Sequence, residues 1–267
     1  MPTPIEILLD PISLGLLAMF STLFILEHLF PAKQLQRPKA WYVKCAIAFI
    51  CYFYLASYLP LLWDSHLASY QLFDLTQANP WLSAITAFFT FEFLLYVWHR
   101  AMHESKWLWR IFHQMHHSAE TVDAMGAFYF SPFDMLGFTM LGSLSLVVIV
   151  GVSPEAATYF LFITQFLAVF QHCNVKTPYW LGFVIQRPES HRIHHGRGIH
   201  KYNYSDLPIF DIIFGTFRNP KTDEVDTGFY QGASDRIIEM LCFKDVYTPK
   251  LKSSPNDMQK EPDTGLS

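Results

Sequence analysis

The placement of lysine and arginine around five apolar stretches sets the tightest limit on how this chain can fold. The stretches lie at about 11–30, 41–63, 81–98, 133–151 and 155–171, and most approach the roughly 20 residues that a membrane-spanning helix needs. Segments 1–10, 64–80 and 152–154 contain no Lys or Arg. Lys33, Arg37, Lys39 and Lys44 follow the first stretch, Arg100, Lys106 and Arg110 follow the third, and the rest, from Lys176 to Lys260, follow the fifth. Basic loops stay in the cytoplasm, so the amino terminus is expected outside and the carboxy terminus inside. Trp41, Trp63, Trp81 and Trp98 sit near the ends of stretches, where interfacial tryptophan belongs. The fourth and fifth stretches are joined only by Val152-Ser153-Pro154. A hairpin that crosses fully and one that re-enters both satisfy the pattern, and full crossing is expected. The fold class is therefore all-α integral membrane, with about four to five transmembrane helices.

Composition agrees, because only 16% of residues are charged against roughly 25% in soluble domains. A net charge of -4 without a long basic run argues against nucleic acid as a partner. Cys45, Cys51, Cys173 and Cys242 form no C-x-x-C pair, so neither a disulfide framework nor a zinc ribbon is indicated. The first residues lack a basic n-region, and the first stretch is expected to stay as an anchor. From about Pro249 the chain is polar and free of aromatics, as a solvated tail would be.

Nine of the twelve histidines fall into groups: His99 and His103 followed by His113, His116 and His117; a lone His172; and His191, His194 and His195. Spacings of three and four put side chains on one helical face, and imidazole is a favoured ligand of iron, zinc, copper and nickel. His99 and His172 each end an apolar stretch on the predicted cytoplasmic side. The third group lies between Pro188 and Gly196, which reads as a short cytoplasmic helix folding over the others like a cap. On one straight helix, His99 and His113 would stand about 21 Å apart at 1.5 Å per residue. If they share a site the chain must turn between them, with Ser105 a candidate cap for a second helix starting at Lys106. Nine candidate ligands exceed the needs of one ion, which points to a dimetal site. Glu104, Glu120, Asp123, Asn174, Glu189 and Asp211 are candidates to accept a ligand's other N–H and fix its tautomer. His28 and His66 are expected at the surface, and His200 in a surface or structural role. The aromatic runs Phe88-Phe89-Thr90-Phe91 and Phe128-Tyr129-Phe130 are expected to face lipid or fill the core.

The combination HxxxH, HxxHH, HxxHH at the ends of apolar helices resembles the fatty acid hydroxylase/sterol desaturase superfamily. The similarity covers about residues 81–218 and includes His99-Arg100, Leu108-Trp109, His172-Cys173-Asn174, Asn203-Tyr204 and Phe214-Gly215-Thr216. It implies that the eight box histidines and His172 ligate two non-haem iron ions, and that O₂ is the co-substrate for oxidation of a C–H bond of a membrane lipid or sterol-like molecule. Electrons would come from NAD(P)H through a separate reductase with ferredoxin or cytochrome b5, since the chain carries no G-x-G-x-x-G or other redox-cofactor motif. The acyl-lipid desaturases also have three boxes, but the short stretch from His117 to His191 fits the hydroxylase branch better. Where many members have Arg-x-His-Pro after the second box, this chain reads Tyr129-Phe130-Ser131-Pro132.

The chain then divides into an amino-terminal transmembrane hairpin (1–80), a catalytic region (81–218) and a cytoplasmic extension with a polar tail (219–267). Two other classes compete. A membrane dinuclear metallohydrolase would need a carboxylate base within its motif, as in H-E-x-x-H, and none is present. A metal transporter would place ionisable residues near mid-bilayer, whereas these histidines gather at one face. The topology makes a direct prediction: reporter fusions at Ser69 and Ser267 should report opposite sides of the membrane, and the same side for both would refute it.

Overall fold

The computed structural model describes residues 1–222 and 224–249. Most of the tail expected from Pro249 lies outside the described residues. Among those described there are helices and no strand, with two isolated bridges, Pro31 to Val175 and Gly196 to Thr227.

A short α1 (Pro4–Leu9) leads into α2 (Pro11–Leu29), followed by α3 (Trp41–Leu67) and α4 (Pro80–Glu104). Helix α5 (Lys106–Leu108) runs through a π turn at Trp109–His113 into α6 (Gln114–His117). Then come α7 (Pro132–Ser143) with its π extension to Val150, α8 (Pro154–Phe170), α9 (Pro188–His194), α10 (Pro208–Ile213) and α11 (Ile237–Leu241). Four helical segments are long and apolar enough to cross a membrane: Pro11–Leu29, Trp41–Tyr70, Pro80–Glu104 and Pro132–Val150. The fifth stretch forms the 17-residue α8, which is apolar but shorter. Exposed Ile25, Leu26, Ile47, Ile50, Leu61 and Leu62 give the spans an apolar outer face, as lipid requires. This is a membrane protein.

The starts of the helices follow from local chemistry. Asp10, Asn79, Ser131 and Ser153 each precede a proline and cap the helix behind it by accepting an amide hydrogen with the side chain. Proline at the first helical position lacks only an N–H that would have no partner there anyway. The break foreseen near Ser105 is present: Ser105 is extended, ends α4, and caps α5 by accepting from Leu108 N–H at 3.4 Å.

Helix α3 packs on α7, α4 on α8, and α2 on α8, and buried polar groups tie the bundle to the loops at the histidine end. Glu27 of α2, 1% exposed, accepts from the backbone amides of Ala124 and Asn174, both at 2.8 Å. Asp123, fully buried, accepts from Trp41 Nε1 at 3.0 Å, Gly126 N–H at 2.9 Å and Arg37 Nε at 2.9 Å. The carboxy-terminal segment closes the same end, where Phe229, Ala233, Met240 and Val246 share a core with Trp41, Met115 and Tyr129. Replacing Asp123 by Ala strands the buried indole N–H and the Gly126 amide. Thermal unfolding in detergent should show a loss of about 2–3 kcal/mol, the usual cost of buried donors left without partners.

Candidate metal centre

All nine histidines singled out from the sequence converge, and they sort into two sets. His99, His103, His113, His117 and His194 form one, and His116, His172, His191 and His195 the other; within each set the potential ligand atoms lie within 4.8 Å of one another. The turn at Ser105 makes this possible, bringing His99 Nε2 to 2.8 Å from His113 Nε2. Helix α9 supplies His194 to the first set and His191 to the second, and His195 at its end joins His191. His117 and His195 stack between the sets with ring centroids 4.2 Å apart.

In five of the rings the second nitrogen shows what the first is for. His99 Nδ1 donates to the Tyr204 carbonyl, His103 Nδ1 to that of His200 and His194 Nδ1 to that of Tyr202, each at 2.7 Å. His172 Nδ1 donates to the Ala168 carbonyl, and His113 Nδ1 to Asp134 Oδ2, again at 2.7 Å. A carbonyl oxygen only accepts, so the proton sits on Nδ1 and the lone pair on Nε2. Those Nε2 atoms then face one another: His172 Nε2 lies 3.2 Å from His116 Nε2 and 3.0 Å from His191 Nε2. His103, His117 and His194 leave Nε2 buried with no partner at all. Lone pairs gathered at such distances repel unless a cation lies among them, so the residues fit a metal ion in each set. Burial pushes the imidazoles of His116, His117, His191, His194 and His195 well below their usual range, and that of His172 down to about 4. They are neutral at pH 7, the form that ligates.

The other sequence candidates lie elsewhere. Glu104 points outward to Arg100, 2.7 Å away. Glu189 accepts from Thr177, and Asn174 bonds Lys33 and Arg192. Glu120 holds Gly232. Among the described residues none of these four bonds a histidine. Asp211 acts one step removed: it accepts from the Tyr204 and Ser205 amides and so braces the carbonyl that holds His99. Two contributors went unforeseen. Asp134 reads in the sequence as an ordinary acid in the first turn of a helix, yet it grips His113. His200, expected at the surface or in a structural role, is buried, with Nδ1 3.1 Å from His117 Nδ1.

A cavity of about 490 Å³ opens from the histidines into the bundle. His99 and His113 of one set and His116, His172 and His191 of the other line its inner end, and Asp10 and Asp64 lie in its wall farther along α2 and α3. Phe91, Phe128, Phe130 and Phe138 form much of the rest. The aromatic runs are thus divided: Phe89 is exposed on the outer face, Phe88 is core, and three of the others line the cavity. Phe130, in the stretch that departs from the Arg-x-His-Pro pattern, packs tilted against His116, with ring centroids 4.4 Å apart.

A sequence profile described as Fatty acid hydroxylase matches residues 84–216, from α4 to just past α10. The chain belongs to the fatty acid hydroxylase/sterol desaturase superfamily. Relatives of this superfamily member include the sphingolipid C4-hydroxylase of Schizosaccharomyces pombe, 30% identical over 51% of this chain and 48% of the relative. The ornithine lipid hydroxylase of Rhizobium tropici is 35% identical over 57% of this chain and 46% of its own. The alkylglycerol monooxygenase of Caenorhabditis elegans is 28% identical over 61% and 32%. The chain therefore spans about a third to a half of the length of these relatives. No solved structure matches it. For this superfamily chain, replacing Asp134 by Ala should weaken metal binding by the five-histidine set about 10–100-fold, the usual effect of losing a ligand's supporting hydrogen bond. Metal analysis during chelator titration should show one ion leaving early and the second held as in the wild type.

Proposed function

We propose that this chain is a dinuclear iron oxygenase that hydroxylates or desaturates a membrane lipid at a C–H bond, with all nine histidines as ligands, five to one ion and four to the other. One observation carries the reading: both histidine sets face the same apolar cavity, so a single alkyl chain can lie against both centres. The lipid-acting names of the three relatives support the substrate class, and the imidazole-rich donor set supports iron. The positive-inside pattern supports a cytoplasmic site, within reach of a ferredoxin or cytochrome b5 reductase.

Iron supplies the redox chemistry with O₂ that no side chain can. The chain's own residues do the rest. Backbone carbonyls and Asp134 fix five ring tautomers. The apolar wall fits an alkyl chain by shape, and Phe49 to Asp64, two lining residues of α3, are fifteen residues or about 22 Å apart along the helix, which suits a long acyl or alkyl chain. A cavity walled mainly by apolar side chains disfavours the hydrolase, which needs water at the reacting atom.

The iron-loaded protein, given a membrane lipid extract with NADPH, ferredoxin and ferredoxin reductase under ¹⁸O₂, should yield hydroxylated lipid carrying the label, and without reductant at most one turnover. Label arriving from water instead would sink the proposal. Gly142 offers a test of the cavity, since a Cβ there meets nothing within 4 Å and the residue lies in the cavity wall. Gly142→Phe should fold, bind metal normally and lose roughly 10–200-fold in turnover of long-chain lipids, the range for one misfitted group in an apolar pocket.

A further inference from the structure

Hydroxylation by O₂ requires protons as well as electrons. One oxygen atom forms the C–O bond, the other leaves as water, and the balance takes two electrons from the external reductant and two protons. The cavity wall is largely apolar and the imidazoles at its inner end are neutral, with the Nδ1 protons of His99 and His172 held by carbonyls and that of His113 by Asp134, so the protons need another source. Asp206, 5% exposed, lines the cavity together with His99, His172 and His191. Its Oδ1 accepts at 2.7 Å from Nε2 of Gln171, the residue before His172, and among the described residues its carboxylate bonds none of the nine histidines.

Behind Asp206 stands Glu92 of α4, with no exposed surface. Glu92 Oε2 accepts from the Leu207 amide at 2.9 Å, which places it beside Asp206, while its Oε1 is buried with no partner. The charged or titratable groups acting on the pair are each other and Asp211, all acidic. No cation offsets them among the described residues. Two carboxylates buried side by side in that way do not both ionise, so one proton remains with them.

We propose that Asp206, backed by Glu92, is the proton donor of this site. The Asp206 O–H breaks and its proton passes to the oxygen atom that leaves as water; because the pair does not stay doubly ionised, it regains a proton from solvent, passes that on as the second proton of the reaction, and is reprotonated when product departs. Burial independently pushes the Asp206 carboxyl up to about 7, which keeps it able to give and regain a proton near neutral pH. The proposal rests on the oxygenase reading.

The test begins on the resting protein. Infrared spectra at neutral pH should show a protonated-carboxyl band that shifts in D₂O and whose frequency or amplitude changes in Asp206→Asn and in Glu92→Gln, both retaining two metal ions. In the iron-loaded protein with membrane lipid extract, NADPH, ferredoxin and ferredoxin reductase, Asp206→Asn should form hydroxylated lipid about 100-fold more slowly, the lower range for loss of a general acid. Its O₂ uptake should be diverted to hydrogen peroxide, and Asp206→Glu should recover most of the coupling. If Asp206→Asn does not fold, Glu92→Gln, whose amide oxygen still accepts from Leu207, carries both measurements. A wild type that hydroxylates alongside variants that hydroxylate equally well, or a wild type with no such band, overturns the proton donor alone. A wild type that consumes no O₂ with lipid and reductant present overturns the oxygenase reading and the donor with it.

Discussion

Nine neutral imidazoles are buried together at this site, five of them with the second nitrogen fixed by a backbone carbonyl or by Asp134, and much of the structure serves to hold those five. Three of the five rings in one set hang from a single stretch of backbone, the alternate carbonyls of residues 200, 202 and 204. To present them, His200, Tyr202 and Asn203 adopt positive φ values of 40°, 73° and 51°, a conformation that non-glycine residues rarely hold without support. The support is Asn203, whose amide bonds the Ser190 and Arg218 carbonyls while its oxygen accepts from Arg218 N–H. Local strain is thus held by a side chain that reaches no metal ligand itself.

The same need explains why the ligands come from so many elements. Rings on one helix face stack along its axis, whereas a shared point requires approach from several directions. The turn at Ser105 folds α5 and α6 back over the end of α4, α8 delivers His172 at the same depth, and α9 covers both. Glu27 and Asp123 then bind the loops between these elements to α2 and α3. The first two spans thereby brace the site although they contribute no ligand to it.

What could be read from the sequence was whatever acts through side-chain type. Apolar runs gave the spans, Ser105 and Pro188 marked helix starts, histidine spacing found eight members of the two sets, and His172 followed from its place at the end of an apolar stretch. The arithmetic of helical rise required the break that Ser105 makes. The rest acts through backbone or through tertiary placement. Carbonyls 200, 202 and 204 carry no side-chain signature, and the acids that seemed near in sequence, Glu104 and Glu189, turn to cations and a threonine instead. Asp134 is twenty-one residues from the ring it holds, and only the packing of α7 against the π turn brings them together. Helix α4 also runs to Glu104, past the apolar run that ends at Trp98, because its last turns bury histidine against histidine and need no lipid.

The division of the phenylalanines shows how one set of residues can serve both lipid and site. An apolar ring facing outward, as Phe89 does, stabilises the span in lipid; one turned inward beside His116, as Phe130 is, cannot fill its surroundings completely while the metal ligands behind it stay accessible. The space left over is the cavity. Its walls offer an alkyl chain the same apolar surroundings as the bilayer, so entering it requires little desolvation and gives little net burial energy. Selectivity for one lipid over another must then come from shape along the walls and from the few polar groups that meet the cavity, among them Asp10 and Asp64 on α2 and α3 and Asp206 beside the histidines.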